Sequence, residues 1–292
     1  MSNIFKTLAT ADRRIWHLCT FLIVSILLLN PLGLPLAVGE EVIKTYGIVN
    51  NLKPGDIVLI NYDIAAYGWD ELKGQCLSVV PHIMEKPGVK VLFMTNMDQG
   101  IIFIEQTFQT MGKLMPGKTG APWYVLNDKK YLEDWVILGY FPGQETPFAA
   151  LAADFRKNAG DKDWYGNQIG GWLNQIGLNS AKDIDLLVSF DCTSGASWFA
   201  RHFYLPNGTP IIAGEIGVNV PTSLTNYNAG LYKGLIKSTR GAAEYQFLSG
   251  YRGKALVSMD AYSAIHIFLI LIAVVGNIGY FGWERKAMEV KK

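Results

Sequence analysis

The chain has 292 residues, half of them apolar, and sets 26 Lys and Arg against 25 Asp and Glu for a formal net charge of +1. Balanced charge supplies no basic surface for a nucleic-acid partner, and three cysteines are too few for a disulfide framework. The apolar excess gathers near the two ends, which divides the chain before any motif is read.

Residues 1–14 carry Lys6, Arg13 and Arg14, and residues 15–38 then contain no Asp, Glu, Lys or Arg. Such a run is long enough to cross about 30 Å of hydrocarbon at about 1.5 Å per residue, so 15–38 is predicted to be a transmembrane helix. Ala37-Val38-Gly39 has the small residues that a signal peptidase needs. The apolar run is nevertheless long for a signal peptide, and an uncleaved signal anchor is expected.

Glu40 to Leu52 reads as a short amphipathic segment lying against the membrane face. From Pro54 onward, apolar runs alternate with segments of helical period. The runs Asp56–Tyr62, Val89–Thr95, Trp135–Tyr140, Ile184–Phe190 and Thr209–Ala213 are predicted strands. Helices are expected at about Glu71–Glu85, Gln99–Leu114, Thr146–Asn158, Ser197–Tyr204 and Leu224–Leu248. Near-continuous aliphatic strands fit a parallel sheet covered on both faces. The fold class is therefore α/β: a Rossmann-like, mostly parallel open sheet of about five strands with helices on both faces, flanked by two transmembrane helices.

Two long irregular stretches interrupt the rhythm, 115–132 and 160–179, the second with Trp164, Tyr165 and Trp172. Loops of this length often contact a partner. Gly230, Gly234, Gly241, Ala242 and Ala243 are read as tight packing, and Cys76 and Cys192 as free buried thiols. Asn207-Gly208-Thr209 matches a glycosylation acceptor and would face outward.

The second span, 261–283, is again free of those charges and is followed by Arg285, Lys286, Lys291 and Lys292. Cations on the outer flanks of both spans place 1–14 and 284–292 in the cytoplasm and the α/β domain, 39–260, outside it, in a cell-membrane protein. Trp16, Tyr262, Tyr280, Phe281 and Trp283 suit interfacial belts. Gly276, Asn277 and Gly279 form a pattern that favours helix packing in lipid, against the first span or an external subunit. Neither span carries the ionisable groups of a transport path, so both read as anchors.

In doubly wound sheets, ligands collect beyond the carboxyl ends of the strands. Asp63, Asp98, Glu145, Asp191 and Glu215 follow the five predicted strands in turn. Converging, they would bind a hard cation or cationic ligand; standing apart, each would cap the helix after its own strand. Phe190-Asp-Cys-Thr-Ser-Gly-Ala-Ser197 runs from a strand into a helix start, where amides near Thr193 and Ser194 offer an anion site and Cys192 a thiol of lowered pKa. Cys192 and Asp191 are thus the catalytic candidates, but a cysteine nucleophile needs a base, and neither His82 nor His202 can be placed beside it from sequence. No Walker loop, nucleophile elbow, paired-histidine zinc motif or Cys-x-x-Cys occurs. No cofactor or metal is expected.

These readings lead to a membrane-anchored extracytoplasmic binding or scaffolding domain. Its expected partners are the lipid bilayer and either other membrane protein subunits or further copies of itself in a larger assembly. The alternatives are an externally facing hydrolase or transferase, using Cys192 or a cation at the sheet edge, and a solute-binding receptor.

Overall fold

Six short runs of mainly aliphatic residues pair side by side: β1 (Ile57–Asp63), β2 (Lys90–Thr95), β3 (Trp135–Tyr140), β4 (Leu186–Asp191), β5 (Ile211–Glu215) and β6 (Gly234–Lys237). The computed structural model describes residues 12–251 and 253–290, with 283–290 as backbone only. Every pairing in this sheet is parallel, in the order β3-β2-β1-β4-β5-β6. That is the order of the doubly wound Rossmann sheet, which reverses direction between β1 and β4. The helices that matter below are α1 (Arg13–Leu29), α2 (Glu40–Asn50), α3 (Ala66–Met84), α4 (Gly100–Met111), α5 (Thr146–Ala153), α6 (Gly195–Phe199), α7 (Val220–Asn228), α8 (Ser238–Ser249) and α9 (Lys254–Val290).

Helices cover both faces of the sheet, and two neighbouring residues of β5 show it. A Cβ on Gly214 would run into Gln75 of α3, whereas the next residue, Glu215, bonds Ser223 of α7 at 2.7 Å. Successive strand residues point to opposite faces, so α3 and α7 lie on opposite sides.

The five predicted strands correspond to β1–β5, and β6 is a correction. The helix expected over Leu224–Leu248 is α7, β6 and α8 in succession. The chain turns at Gly230, with φ at +79°, and Gly234 sits where any Cβ would meet Thr45 Oγ1 at 2.5 Å and Ile212 Cγ1 at 3.0 Å. A strand this short carries too little periodicity to separate from a helix turn. The small residues of this stretch serve packing inside the domain, since a Cβ on Gly241 would press on Ile236.

The segment expected against the membrane face also needs correction. In α2, Val42, Thr45 and Val49 are buried, Thr45 rests on β6, and Glu41 takes the Lys237 ammonium. A strand's Cβ positions point to the faces of the sheet, so α2 packs on the face of β5 and β6 that also carries α3.

The long loops are organised from within. Asn127 and Asp128, with φ at 50° and 66°, form a tight turn closed by the Leu126–Lys129 bridge. Asp163, buried, accepts the Tyr131 hydroxyl at 2.5 Å, the N–H groups of Tyr165 and Asn167 at 2.9 and 2.7 Å, and the Asn167 amide at 2.9 Å. Trp172 donates to the Glu133 carbonyl at 3.0 Å. Trp164 stays half-exposed.

Under α2, His82 lies against Tyr46 at 4.9 Å between ring centroids and shares a 2.9 Å bond with the Tyr245 hydroxyl. Burial, with help from the Lys86 charge, pushes it down from 6.5 to about 4. The unfolded chain therefore takes up this proton first, so the stabilisation is present above pH 6.5 and is lost as pH falls towards 4. Between those limits the wild type is expected to lose more stability than His82→Gln in chemical denaturation. Equal acid limbs would refute it.

The chain divides into two compact units, one of Ala37–Ala255 and one of the residues up to Leu36 with those from Leu256 onward. Among the described residues, one helix segment, Lys254–Gly282, is long and apolar enough to cross a membrane. It begins before the predicted 261. The first predicted span, 15–38, is a correction: α1 has 17 residues and is not long enough to count as a second such helix, since it ends at Leu29 and the chain continues without helix to Gly39, where Pro31 and Pro35 cannot extend it. Within this unit Trp16 meets Phe268 at 6.3 Å between centroids, and buried Asp260 accepts the N–H groups of Gly33 and Leu34 at 2.7 and 2.9 Å. Asn277 donates to Ala273 O of its own helix at 2.8 Å, and a Cβ on Gly276 would touch nothing; Gly279 is buried. The expected bond from Asn277 across to a neighbouring helix is therefore not made to α1. Residues 1–11 and 291–292, Lys6, Lys291 and Lys292 among them, lie outside the described residues, as do the side chains of Trp283, Arg285 and Lys286.

Candidate functional site

Parallel pairing puts matching residues of adjacent strands on the same face. Asp63 of β1 is in register with Asp191 of β4, and Asp191 with Glu215 of β5. The last residues of three neighbouring strands thus form a row of carboxylates, all buried, beside the point where the strand order reverses. Two residues earlier, Asn61 pairs with Ser189 in the same way, and that polar layer supports the row.

Each carboxylate is held by neutral donors. Asp63 Oδ2 accepts the Thr193 hydroxyl and the N–H groups of Ser194 and Gly195 at 3.2 and 3.1 Å. Asp191 Oδ2 accepts the Ala196 N–H at 2.7 Å and its Oδ1 the Ser189 hydroxyl at 2.6 Å. Glu215 takes the Ser223 hydroxyl at 2.7 Å and the Asn219 amide at 3.2 Å. Below them, Asn61 donates to Asn96 Oδ1 at 3.1 Å and Ser189 Oγ at 3.0 Å. Asn96 favours the Asp63 charge, yet Asp63 Oδ1 and Asn61 Oδ1 have no partner in bonding geometry among the described residues.

Burial raises all three acids above their ordinary range. For Asp191, burial comes first, followed by the charges of Glu215 and Asp63. For Asp63, burial outweighs the bonds from Thr193, Gly195 and Ser194. Glu215 is pushed to about 7, again chiefly by burial. Adjacent strands lie about 4.8 Å apart, and two full charges at that spacing repel by roughly 3.5 kcal/mol at an effective dielectric of about 20. Three full charges in one buried row are therefore disfavoured, and each acid holds its proton to a higher pH than it would in water.

No family model, curated protein or solved structure matches the chain. The site is therefore read from its own chemistry.

That chemistry corrects several expectations. Asp98 is exposed and stands outside the row; α4 starts without a side-chain cap. Glu145 instead binds Arg201 at 2.5 Å and His202 at 2.8 Å, tying α5 to the π turn Ala200–Tyr204 that continues α6. Among the described residues no group of three or more His, Cys, Asp or Glu is arranged to hold a metal ion. The alternative of separate caps is also only half met. Asp191 accepts a first-turn N–H of the helix after its own strand, but Asp63 does not do so for α3, whose first N–H goes to Gln99 Oε1 at 2.8 Å; Asp63 crosses instead to the start of α6.

The expected anion site is thereby filled from within, since the amides of Ser194, Gly195 and Ala196 already face the chain's own carboxylates. Cys192 is buried, its sulfur accepts the Ala65 N–H at 3.2 Å, and burial raises its thiol where the helix start was expected to lower it. His82 is engaged with Tyr245 and His202 with Glu145, so neither serves Cys192 as a base. Cys76 and Cys192 are both free and buried. Thr209 of the acceptor triplet is buried, its hydroxyl bonded to Ala181 O at 3.3 Å.

Asn61, Asn96, Ser189, Asn219 and Ser223 complete the site and were missed. The signal for two of them was in the strands themselves: Asn61 two places before Asp63, and Ser189 two places before Asp191, are polar residues on one face of otherwise aliphatic runs. Asn219 and Ser223 reach the row only through the packing of α7.

Proposed function

We propose that the chain is a membrane-anchored extracytoplasmic domain that binds or scaffolds other membrane proteins, as a non-catalytic subunit of a larger assembly. In this reading α1 and α9 form a two-helix anchor, both chain ends are cytoplasmic, and Ala37–Ala255 faces outward. The observation that carries the non-catalytic part is the filled helix start of α6. The place where a doubly wound fold receives an anionic ligand is bonded to Asp63 and Asp191.

The anchor is supported by exposure. Phe21, Ile26 and Leu29 of α1 and Ile267, Ile270 and Phe281 of α9 are 58–80% exposed, an arrangement that suits hydrocarbon as solvent. The clasp of Asp260 on Gly33 and Leu34 supports two helices acting as one anchor. Gentle solubilisation of native membranes followed by native mass measurement tests the assembly. A particle well above the 32.4 kDa of one chain, containing other subunits or further copies, is expected, whereas a clean monomer would overturn the proposal.

A further inference from the structure

Two oxygens of the polar layer stand out because the chain offers them no donor. Asn61 Oδ1 and Asp63 Oδ1 are buried and have no hydrogen-bond partner among the described residues. Asn61 and Asp63 are two places apart on β1, so their side chains lie on one face. Both meet Asn96, which accepts from Asn61 Nδ2 at 3.1 Å and favours the Asp63 charge. Both also meet Gly195, whose N–H goes to Asp63 Oδ2 at 3.1 Å and whose added Cβ would stand 2.8 Å from Asn61 Nδ2. The two unbonded oxygens therefore flank one spot, between Asn96 and the start of α6, beside the point where the strand order reverses.

The neighbours fix which oxygens are left over. Ser189 spends its hydroxyl hydrogen on Asp191 Oδ1 at 2.6 Å and presents only lone pairs to Asn61, at 3.0 Å; Asn96 presents an oxygen as well. Turning the Asn61 amide over would set oxygen against oxygen at both contacts, so Nδ2 faces them and Oδ1 remains. Asp63 Oδ2 takes the Thr193 hydroxyl and two backbone N–H groups, and Oδ1 remains. A buried acceptor without a donor is costly, and one of these belongs to an acid. The bonding partners of Asp63, Asp191 and Glu215 among the described residues are hydroxyls, amides and backbone N–H groups. Lys237, in register beside Glu215, gives its ammonium to Glu41, and Arg201 and His202 are taken by Glu145. A water molecule would satisfy the two oxygens but leave this charge unbalanced.

We propose that Asn61 Oδ1 and Asp63 Oδ1 bind a monovalent alkali cation, sodium or potassium. Amide and carboxylate oxygens are hard donors that suit alkali and alkaline-earth ions rather than zinc or copper. The single acid of the pair matches one positive charge, and among the described residues no group of three or more His, Cys, Asp or Glu supplies the several acidic ligands of a calcium site. Bound there, the ion ties β1 to the polar layer and offsets the repulsion among the three acids.

Denaturant unfolding of the full chain in a neutral detergent tests the site, with choline chloride replaced at constant ionic strength by sodium, potassium, magnesium or calcium chloride. Sodium or potassium is expected to raise the folded-to-unfolded ratio about tenfold at about ten times its dissociation constant. Asp63→Asn keeps an oxygen for the turn and sets its own amide in place of Oδ1, so this variant should be indifferent to the cation. Glu215→Gln keeps both side-chain bonds, its oxygen for Asn219 and its amide for Ser223, and should respond as the wild type does. Should Asp63→Asn fail to fold, broadening by the wild-type chain of the NMR line of sodium, or of thallium(I) as the stand-in for potassium, reads the ion directly. Equal midpoints in choline and both alkali salts, with neither line broadened, would overturn the proposal, as would a response shared equally by Asp63→Asn or one confined to magnesium or calcium.

Discussion

Trp135→Ala is expected to lower the unfolding free energy by about 4 kcal/mol, near the upper range for truncating a buried aromatic. Trp135 is fully buried on β3 and stacks on Phe108 of α4 with centroids 4.1 Å apart and planes 6° from parallel. Phe93 and Tyr131 meet it edge-on at 5.9 and 4.8 Å. Removing the indole would strip three rings of their partner and leave a void between β2, β3 and α4 that close-packed neighbours cannot fill. The indole nitrogen has no hydrogen-bond partner among the described residues, so Trp135→Phe keeps most of the stacking without orphaning an acceptor and should cost only about 1.5 kcal/mol. Denaturant midpoints of the three proteins in one detergent check both values. Equal costs for the two variants would refute the stacking argument.

Gly195→Ala is expected to cost about 3 kcal/mol through overpacking and a broken polar layer. A Cβ there would press on Asp191 Oδ1 and stand 2.8 Å from Asn61 Nδ2 and 3.0 Å from Ser189 Oγ. Each of those atoms is already in a bond, so none can retreat without unmaking one. Gly171→Ala is the control: it lies in the short helix Gly170–Gln175, where an added Cβ meets nothing within 4 Å. That change should be neutral or stabilise by about 0.5 kcal/mol. A Gly195→Ala chain as stable as Gly171→Ala would mean the polar layer is looser than the distances imply.

The two predictions touch the parts of the domain that differ most in how far they were legible. β3 was readable residue for residue, because Trp135-Val-Ile-Leu-Gly-Tyr140 is a bounded aliphatic run and local composition is enough to mark such a strand. The acids at the strand ends were readable as positions. Their relation was not, because register is a property of pairing: Asp63 lies 128 residues from Asp191, and nothing local makes them neighbours. The same reason explains why Asp98 and Glu145, equally placed after strands, stand outside the row. Beyond β2 the chain turns out to solvent, and Glu145 meets two basic groups on the turn after α6.

Cys192 shows the limit from the other side. Its place before a helix start was read correctly, and a low thiol pKa follows from that rule when the helix amides are free. Here two carboxylates had already taken them, and burial set the sign. Similarly, α2 has the amphipathic pattern of a surface helix, but its apolar side, Val42, Thr45 and Val49, is buried within the domain, where Thr45 meets β6.

Local sequence sets which segments are apolar, the α/β alternation and the runs that become β1–β5, because hydrophobic period and turn residues act over a few neighbours. The sixth strand, the strand order, the early end of α1 relative to the predicted span and the gathering of three acids into one buried row emerge with the folded chain. Those depend on which distant segments meet, and on the low dielectric that meeting creates.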